Sequence, residues 1–576
     1  MKLCPSFALA AVLAAPLLAA SLEITIEPVF NGEPLRLDSL RYENSAHETL
    51  SVTRLSYLLS GLALESDDGQ CIEFPQTTAW MDAAARRNTV KLENAPAKKF
   101  RSLRFHIGPD AVANAADVAK IPASNPLNPN LNGLHWSWQG GYIFLAVEGH
   151  YRMGNAAPNG YAHHLARDPN RTCINLGTAL DLQHDVGVLI HFDIATLFNV
   201  PHPLSFENDG SATHSRDGDS IAAALVANLP GSFRIQRIAS MVPVVKNLPS
   251  VTPIDLPDKF TPYRFTISPT FSVPDLPRDK PLIDERVALG EKLFHEKALS
   301  RDGTISCVSC HQADAAFTDR LAVSRGIEGR VGDRNAMPLF NLAWKRDFFW
   351  DGRAASLRQQ VLVPIEDHRE MDESMERVCE KLDALPEYQP LFRAAFRSPG
   401  ITEEKISLAL EQFLLTLSAR DSRLDRAMVG KASLTGEEKR GFELFMTEYE
   451  PRTGQYGADC FHCHGGALFS DHQFHNNGLE GDDRGRAKVT NNSADEQKFS
   501  TPSLRNIALT APYMHDGRFT TLEEVVEHYN SRVHRSATLD PNLAKHPEKG
   551  LNLSTKDKAA LVAFLKTLTE ENKPNP

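Results

Sequence analysis

Two five-residue motifs place cysteine and histidine where a haem can be attached covalently. They are Cys307-Val-Ser-Cys310-His311 and Cys460-Phe-His-Cys463-His464, both of the form C-x-x-C-H. In an exported chain the two thiols of such a motif add to the haem vinyl groups, and the adjacent imidazole binds the iron. The alternatives are a redox C-x-x-C pair or half a zinc site, but no second C-x-x-C pair stands at zinc spacing and both motifs end in histidine. The sequence therefore predicts two c-type haems.

The segments around these motifs have helical periodicity. From Asp284 onward one apolar stripe contains Leu289 and Leu293, and a second runs from Ile406 to Leu417. Residues 22–240 differ, because short alternating or apolar runs are separated there by Gly, Asn, Pro and Asp clusters. This pattern predicts an antiparallel β-sandwich with one short helix near 221–228. Residues 241–281 contain nine prolines, which predicts a semi-rigid linker.

Composition and charge exclude several classes of protein. The 576 residues are 42% hydrophobic and 23% charged, which is typical of globular domains rather than disordered chains. The net charge of −11 argues against nucleic-acid binding. The longest apolar run, 7–20, is too short to span a bilayer. With Lys2 before it and Ala19-Ala20-Ser21 at its end, it predicts a signal peptide (1–20) cleaved near Ala20, and hence a periplasmic protein without a membrane span.

Three further cysteines lie outside the two motifs. Cys71 and Cys173 both fall in the β region, where a disulfide between them is plausible in an oxidising compartment, although their spacing does not decide it. Cys379 has no evident partner and is expected to be a buried thiol rather than a nucleophile.

Several segments resemble the bacterial di-haem cytochrome c peroxidase superfamily over residues 281–570. They are Leu289-Gly-Glu-Lys-Leu-Phe, Leu299-Ser-Arg-Asp-Gly, Ser306–His311, Phe348-Phe-Trp-Asp-Gly-Arg-Ala, Pro364-Ile, Thr501-Pro-Ser-Leu-Arg-Asn and Ala511-Pro-Tyr-Met-His-Asp-Gly. The resemblance implies two mostly α-helical cytochrome c-like domains. The first (281–430) would carry the peroxide-reacting haem at His311, and the second (431–576) an electron-relay haem at His464. The expected fold is therefore multidomain, with a β-sandwich (22–240) and a Pro-rich linker (241–280) before two haem domains.

The same resemblance assigns roles to individual residues. Trp350 would lie between the haems, and Gln360, Pro364 and Glu370 would line the distal pocket of the first. A carboxylate beside an open haem can move the peroxide proton from the inner to the outer oxygen, so that water leaves. Without the resemblance, Trp350 would be interpreted as a core residue and Glu370 as a solvated helix residue. The superfamily's calcium position corresponds to Asn335, Thr510 and Pro512.

Two departures from the superfamily's pattern bear on the chemistry. No histidine lies between His311 and His368, which implies a first haem that is open without reductive activation. The relay haem's usual methionine, 14 residues after His515, is replaced by Tyr529. A phenolate favours high oxidation states of iron, whereas a thioether favours ferrous iron. Tyrosine at this position is the mark of the MauG-like branch, whose members oxidise protein side chains.

The first half carries a second resemblance, over roughly residues 22–240. The segment from Leu134 to Gly149, which contains His135-Trp136-Ser-Trp138-Gln-Gly-Gly-Tyr142, resembles the H-W-x-W-Q-x-G-Y motif of MbnP-like proteins. These are periplasmic copper binders encoded beside the MauG-like enzyme MbnH, and in them tryptophan can become kynurenine and help histidine bind copper. Here both partners are expected in one chain.

The residues of this segment also permit a structural interpretation. On a strand, Trp136 and Trp138 would share one face and His135 would lie on the other, as two core tryptophans and a hydrogen-bonded histidine. The candidates for modification or copper binding are Trp80, Trp136, Trp138 and His135. Asn175-Leu-Gly stands where relatives commonly show His-Leu-Gly, which leaves His163, His164 and His214 as other copper candidates.

The favoured function is a periplasmic di-haem enzyme that uses hydrogen peroxide to oxidise a protein tryptophan through high-valent haem, in its own or a homologous MbnP-like domain. The alternative is a di-haem cytochrome c peroxidase that reduces hydrogen peroxide with electrons from a small cytochrome c or copper protein. A third interpretation is a non-enzymatic copper-binding or electron-carrying module. The expected cofactors are two haems, one calcium ion and, as a candidate, copper.

Overall fold

The computed structural model describes residues 19–136, 140–241, 255–268, 270–274, 276, 280–451 and 454–570. The predicted signal peptide, apart from Ala19 and Ala20, lies outside the described residues, as do Trp138 and linker residues 242–254. No helix among the described residues is long and apolar enough to cross a bilayer.

Residues up to 240 form two β-sheets around one apolar core. The strands are β1 Ala19–Phe30, β2 Glu33–Pro34, β3 Tyr42–Glu43, β4 Glu48–Leu50, β5 Arg54–Ser66, β6 Cys71–Phe74, β7 Ala79–Asp82, β8 Thr89–Pro96, β9 Lys99–Ile107, β10 Ile143–Met153, β11 Asn159–Ala166, β12 Thr172–Asp181, β13 Val186–Asp193, β14 Ala212–Thr213 and β15 Phe233–Ser240. One sheet has the order β15-β13-β1-β2, with β8 also on β1. The other has the order β12-β9-β5-β10-β11-β14, with β6 and β7 on β5 and β4 joining β3 to β10.

The sandwich is mixed rather than wholly antiparallel, which corrects one expectation. β1 pairs parallel with β13, with Leu22 beside Val186, and β11 pairs parallel with β14. The alternation in β1 buries Leu22, Ile24 and Ile26 on one face, as period-two strands require. Alternation fixes the buried face but not the direction of a neighbour. Strands far apart in sequence are joined by long connections, and these allow parallel pairing.

The disulfide between Cys71 and Cys173 does not form, and both are free thiols. Cys71 lies on β6 and Cys173 on β12, and the strand order places β5 and β9 between them. Three strand spacings of about 4.8 Å separate the cysteines by about 14 Å or more. A disulfide needs Cα atoms within about 7 Å.

The remainder of the described chain is mostly helical. The helices before residue 240 are α1 Ala111–Asn114, α2 Pro129–Asn132, α3 Ile194–Asn199 and α4 Ser220–Asn228. Those after it are α5 Asp284–Phe294, α6 Cys307–Cys310, α7 Leu357–Gln360, α8 Val363–Glu366, α9 Met375–Asp383, α10 Tyr388–Ala395, α11 Glu403–Thr416, α12 Arg423–Met428, α13 Gly436–Met446, α14 Ala487–Thr490, α15 Leu522–Ser531, α16 Pro541–Ala544 and α17 Thr555–Lys566. Two short antiparallel strand pairs accompany them, β16 Tyr449–Glu450 with β17 Gln455–Tyr456, and β18 Phe474–His475 with β19 Phe499–Ser500.

Each haem motif lies in a region built on the same kind of helix crossing. α5 packs on α11 and α13 packs on α17. A methyl group added at Gly290 of α5 would lie 2.0 Å from the Ala409 carbonyl oxygen, and one at Gly441 of α13 would lie 1.9 Å from that of Ala560. Glycine therefore lets each helix pair approach closely at the crossing. The two regions have separate apolar cores.

The N-terminal half packs against the second helical region through polar groups and close backbone contacts. Gly160 of β11 lies so near α16 that an added Cβ would be 1.8 Å from the Pro541 carbonyl oxygen. A ring nitrogen of His150 lies 2.8 Å from the Leu539 carbonyl oxygen, and Lys498 lies 3.7 Å from Asp38. These contacts fix the β-sandwich against the region that contains the second motif.

A largely buried arginine, Arg334, joins the two helical regions, and replacing one of its carboxylate partners gives the first prediction. Arg334 donates to Asp351 at 2.7 Å and to both carboxylate oxygens of Asp483, at 2.7 and 2.9 Å. Burial alone would raise the pKa of Asp483, but the bonds from Arg334, Gly485 and Lys488 hold it below its ordinary 3.8. Asp483→Asn should therefore lower the free energy of unfolding by about 1–2 kcal/mol, since the side chain stays 20% exposed.

Chemical unfolding near pH 7 measures this loss. Because the folded-state pKa of Asp483 is depressed, its stabilisation is present above about pH 4 and declines as the pH falls toward the folded-state pKa. Glu496→Gln is the control, since it breaks an exposed pair with Arg484 and should change stability by less than about 1 kcal/mol. Equal effects of the two variants would contradict a joining role for Asp483.

Candidate functional site

The first motif opens onto a cavity of about 550 Å³. Cys307 and Cys310 lie on α6, at whose start the Ser306 N–H donates to the Ser309 hydroxyl at 3.1 Å. The residues predicted for the distal pocket, which are Gln360, Pro364 and Glu370, line the same cavity as the motif, and so does Trp350, which was predicted to lie between the haems. The structure thus brings together the attachment cysteines, His311 and the expected proton-transfer residue.

Each motif histidine is oriented by a backbone carbonyl group. The His311 Nδ1 atom lies 2.8 Å from the Phe317 carbonyl oxygen, and the His464 Nδ1 atom lies 3.0 Å from that of Phe469. A carbonyl only accepts, so each Nδ1 carries the proton and each Nε2 keeps its lone pair, as metal-bound histidines do. All four motif cysteines are free thiols that line the cavities. The residues present therefore fit a c-type haem at each motif.

Glu370 is suited to carry a proton in the first cavity. Burial raises the pKa of Glu370, and the negative charge of Asp367 adds to the rise, while Arg353 and Arg369 oppose it. A carboxyl with a raised pKa changes protonation state nearer to neutral pH. Among the described residues that line this cavity, His311 is the only histidine. His368 lies at the surface with its side chain 73% exposed.

The second motif opens onto a cavity of about 200 Å³, which Tyr529 of α15 also lines. Burial raises the pKa of the Tyr529 phenol. The side-chain amide of Asn477 lies 3.4 Å from the phenolic oxygen and 3.5 Å from the Met514 sulfur. Sequence reasoning missed Asn477 and Met514. Met514 could have been found from the sequence, because it is the variable residue of the A-P-Y-x-H motif. Asn477 lies in no recognisable motif.

Trp350 lines both cavities, and its indole N–H donates to the Asn335 carbonyl oxygen at 2.9 Å. Asn335 also borders both cavities, and Thr510 and Pro512 border the second. The Asn335 side-chain amide donates to the carbonyl oxygens of Leu321 and Ala322, at 3.1 and 3.2 Å. The three residues predicted for calcium thus border the second cavity, and one of them, Asn335, contacts Trp350.

His135 and Trp136, the described part of the H-W-x-W motif, do not belong to a strand, and the predicted placement of Trp138 lies outside the described residues. β10 begins only at Ile143, and His135 forms one isolated bridge to Tyr142. Burial lowers the pKa of His135 to about 4. Trp80 lies on β7, where its indole donates to Ser56 at 2.9 Å. Trp80 lines none of the cavities described here, so it is separate from the haem-motif residues.

Trp136 is buried in a cluster of histidines from both halves of the chain. Its ring centroid lies 5.4 Å from that of His214 and 6.3 Å from that of His164. His462, which lies within the second haem motif, completes the cluster. A ring nitrogen of His462 is 3.1 Å from one of His214. His462 was missed because a residue inside C-x-x-C-H reads as a spacer.

The other candidates in the N-terminal half lie apart from this cluster. His163 stacks on Phe206, at 5.1 Å between ring centroids. Asn175 lies on β12, paired with Arg104 of β9.

A small cavity of about 80 Å³ lies where the halves meet, and its wall includes His135, Trp136, His164, His462 and His472.

Comparison with known proteins agrees with this two-part organisation. A family model described as di-haem cytochrome c peroxidase matches residues 284–433, and a model described as MbnP matches residues 19–215. Methylamine utilization protein MauG of Methylorubrum extorquens is 40% identical over 305 residues, which cover 52% of this chain and 82% of that protein.

Two further relatives match about half of this chain. Cytochrome c551 peroxidase of Nitrosomonas europaea is 33% identical over 289 residues, covering 49% of this chain and 79% of that protein. The crystal structure of a MauG-like protein associated with microbial copper homeostasis is 34% identical and covers 54% of this chain and 96% of that one, with a TM-score of 0.48. This chain therefore belongs to the di-haem cytochrome c peroxidase family that includes MauG, and it carries an MbnP domain in its N-terminal half.

Proposed function

We propose that this di-haem oxidoreductase uses hydrogen peroxide to oxidise Trp136 of its own N-terminal half, and that it does so in the periplasm. One observation carries the proposal: the buried Trp136 ring packs on His214, and His214 lies 3.1 Å from His462 of the second haem motif. Trp136 and the second haem motif are therefore linked through one side chain, His214, within one chain. Such an arrangement makes the substrate encounter intramolecular and raises its effective concentration.

The chain's own residues would hold the haems and move the protons. Cys307, Cys310 and His311 would hold one haem, and Cys460, Cys463 and His464 the other. The chemistry that the two haems would supply when bound is the reduction of hydrogen peroxide and the storage of its oxidising equivalents. Glu370 would take the proton from the inner oxygen of peroxide and return it to the outer oxygen, which leaves as water.

Side chains on the two sides of the second cavity support transfer from the first cavity to Trp136. Trp350 borders both cavities. Beyond the second cavity, Phe461 stacks on His462 at 4.2 Å between ring centroids, and its ring lies 5.8 Å from that of His214. The His214 ring in turn packs on Trp136. Peroxide therefore need not enter the N-terminal half for its oxidising equivalents to arrive there.

The proposed overall reaction is balanced. Two molecules of hydrogen peroxide accept four electrons and four protons and become four waters. The four-electron oxidation cleaves the C2–C3 bond of the indole, and two waters supply the two inserted oxygen atoms, which gives N-formylkynurenine. Hydrolysis then releases formate and leaves kynurenine. Mass spectrometry of the intact chain and of its peptides before and after peroxide treatment tests this proposal. Unmodified Trp136, together with rapid turnover of a reduced small cytochrome c, would favour the alternative peroxidase that uses an external electron donor.

We also propose that Tyr529 is a ligand of the second haem together with His464. Tyr529→Phe should convert that haem from low-spin to high-spin ferric, while the first haem stays high-spin, because phenylalanine offers no ligand atom. Optical and electron paramagnetic resonance spectra of the resting protein measure the change. Tyr513→Phe is the matched control, since Tyr513 lines the same cavity but donates to the Ile507 carbonyl oxygen.

Met514→Leu tests the competing ligand. Its sulfur shares Asn477 with the Tyr529 phenol, and a thioether is the ligand expected of an ordinary relay haem. A spectrum altered by Met514→Leu but not by Tyr529→Phe would contradict the tyrosine assignment. That outcome would favour the cytochrome c peroxidase alternative.

Calcium is part of the same proposal, at Asn335, Thr510 and Pro512. Carbonyl and side-chain oxygens are the ligands that calcium prefers. All three residues lie on the wall of the second cavity, and Asn335 directly contacts Trp350. A calcium ion there would help to hold Trp350 between the haem sites.

A further inference from the structure

A small cavity of about 40 Å³ borders each of the three cavities described above, because it shares wall residues with all of them. We call it the junction cavity. Lys345 also lines the cavity of the first motif, Pro502 that of the second, and His472 the cavity where the two halves meet. A space of this size has room for roughly two or three water molecules or for one carboxylate group. The side chains on its wall therefore decide what it can hold.

Lys345 brings a positive charge to the junction cavity that no described acidic side chain neutralises by an ion pair. The other lysine and arginine side chains that line the first cavity each form an ion pair with an aspartate; they are Arg334, Arg353, Arg369 and Lys488. Burial lowers the pKa of Lys345 to about 8, and the charge of Asp347 offsets this only in part. Because lysines removed from water are normally paired, Lys345 is suited to bind an anion.

His472 contributes a buried ring nitrogen to the same wall. Its Nε2 atom has no hydrogen-bond partner among the described residues, although buried polar atoms normally have one. The backbone of His472 lies in the left-handed region, at φ 59°, and its N–H donates to the Ser470 hydroxyl at 3.1 Å. Burial lowers the pKa of His472 to about 4, and the positive charge of Lys345 contributes to this. The two side chains are therefore close enough for their positive charges to repel each other.

A carboxylate between Lys345 and His472 would satisfy both side chains. It accepts hydrogen bonds from an ammonium group and from an imidazole N–H, and its charge removes the repulsion between them. The haem that fits the first cavity carries two propionate groups, which are carboxylates that need cationic partners when they are buried. Among the described residues that the junction cavity shares with either haem cavity, Lys345 is the only basic one, and it belongs to the first. The first haem is therefore the favoured source of the carboxylate.

We propose that Lys345 and His472 bind one propionate group of the haem at His311. Lys345 belongs to the first helical region and His472 to the second, so the bound carboxylate would help to hold the two regions together. His472 also lines the cavity that Trp136 lines, so this haem would have a carboxylate next to the boundary with the N-terminal half. The inference goes beyond the proposed oxidation of Trp136 and does not depend on it, because it concerns how the first haem is bound.

A crystal structure of the full-length protein with both haems tests the site directly. Propionate oxygens of the haem at His311 should lie within about 3.2 Å of Lys345 Nζ and of His472 Nε2. Propionate groups that contact neither side chain, or only one of them, would overturn the proposal. This readout needs no variant and no measurement of activity.

Spectroelectrochemical titration of the same protein gives a second readout, the reduction potential of the haem at His311. Lys345→Met keeps the length of the side chain but leaves the propionate charge unpaired, which favours ferric over ferrous iron. The equilibrium constant for reduction should fall about tenfold, which is about 59 mV for one electron. His472→Asn, whose side chain tolerates the left-handed backbone, should lower the constant by a smaller factor, since it removes a hydrogen bond but no cation.

Lys488→Met is the matched control. Lys488 lines the same cavity, but it pairs with Asp483 at 2.9 Å and is about half exposed, so its loss should change the constant by less than about threefold. Haem content and thermal unfolding identify any variant that fails to fold. Equal effects of Lys345→Met and Lys488→Met would contradict the proposal. A spectral change that acetate causes in the wild-type protein, but not in Lys345→Met or His472→Asn, would also overturn it, because the site would then take a free carboxylate.

Discussion

Replacing Glu370 by glutamine is expected to slow the reaction of the di-haem protein with hydrogen peroxide by about 10²–10⁴-fold. Glutamine keeps the size of the side chain but cannot take a proton from one peroxide oxygen and deliver it to the other. Glu370 lines the cavity of the first motif together with His311, and its raised pKa suits proton exchange. Stopped-flow absorption of the haem bands after mixing with peroxide measures the rate.

The pH dependence gives an independent test of the same role. The working form of Glu370 is the carboxylate, so the wild-type rate should fall as the pH drops through the pKa of this group. Because burial raises that pKa above 4.5, the fall should begin at a higher pH than an ordinary glutamate would give. The rate of the Glu370→Gln variant should not show this fall with decreasing pH. Glu366→Gln, at an exposed position on α8, is the control. A Glu370→Gln variant that reacts at the wild-type rate would exclude Glu370 as the proton carrier.

Trp136→Phe is expected to abolish the peroxide-dependent modification of the chain. In the wild-type protein, the peptide that contains residue 136 should gain one oxygen and lose one carbon, the net change from tryptophan to kynurenine. Phenylalanine has no indole ring to open, so the variant should show no such product. Because substrate and enzyme are one chain, the rate of modification should not change when the protein is diluted.

Peptide mapping by mass spectrometry measures this result, and Trp80→Phe is the matched control. Trp80 is also buried, but it hydrogen-bonds Ser56 within the sandwich rather than contacting the histidine cluster. Its loss should leave the modification intact. A product that persists in Trp136→Phe, or a rate that falls in proportion to dilution, would contradict intramolecular oxidation of Trp136.

The haem motifs and the local elements around them could be predicted from sequence because their signals are local. Thr435 followed three residues later by Glu438 marks a helix start, and the structure forms that capping box at the beginning of α13. The helix near 221–228 is likewise present as α4. The strand order was not predictable, because alternation in β1 specifies a buried face but not that β13 lies beside it in parallel.

The parts of the site that sequence reasoning missed all depend on distant contacts. His462 was read as a spacer, and its role appears only when β11 and the segment around His214 pack against the second motif. Met514 and Tyr529 stand 15 positions apart in sequence, yet both contact Asn477. The sequence left open whether Cys71 pairs with Cys173, because spacing carries no information about the strands that lie between them, and in the structure both are free thiols.

The surface where the N-terminal half meets the second helical region is unusually polar for the inside of one chain. Its contacts include Asp38 with Lys498, His150 with Leu539, and Glu148 with Asn542. Obligate interfaces resemble a divided apolar core, whereas partners that also exist apart keep polar surfaces. The composition of this boundary is therefore closer to that of a surface between separable partners than to that of a divided apolar core.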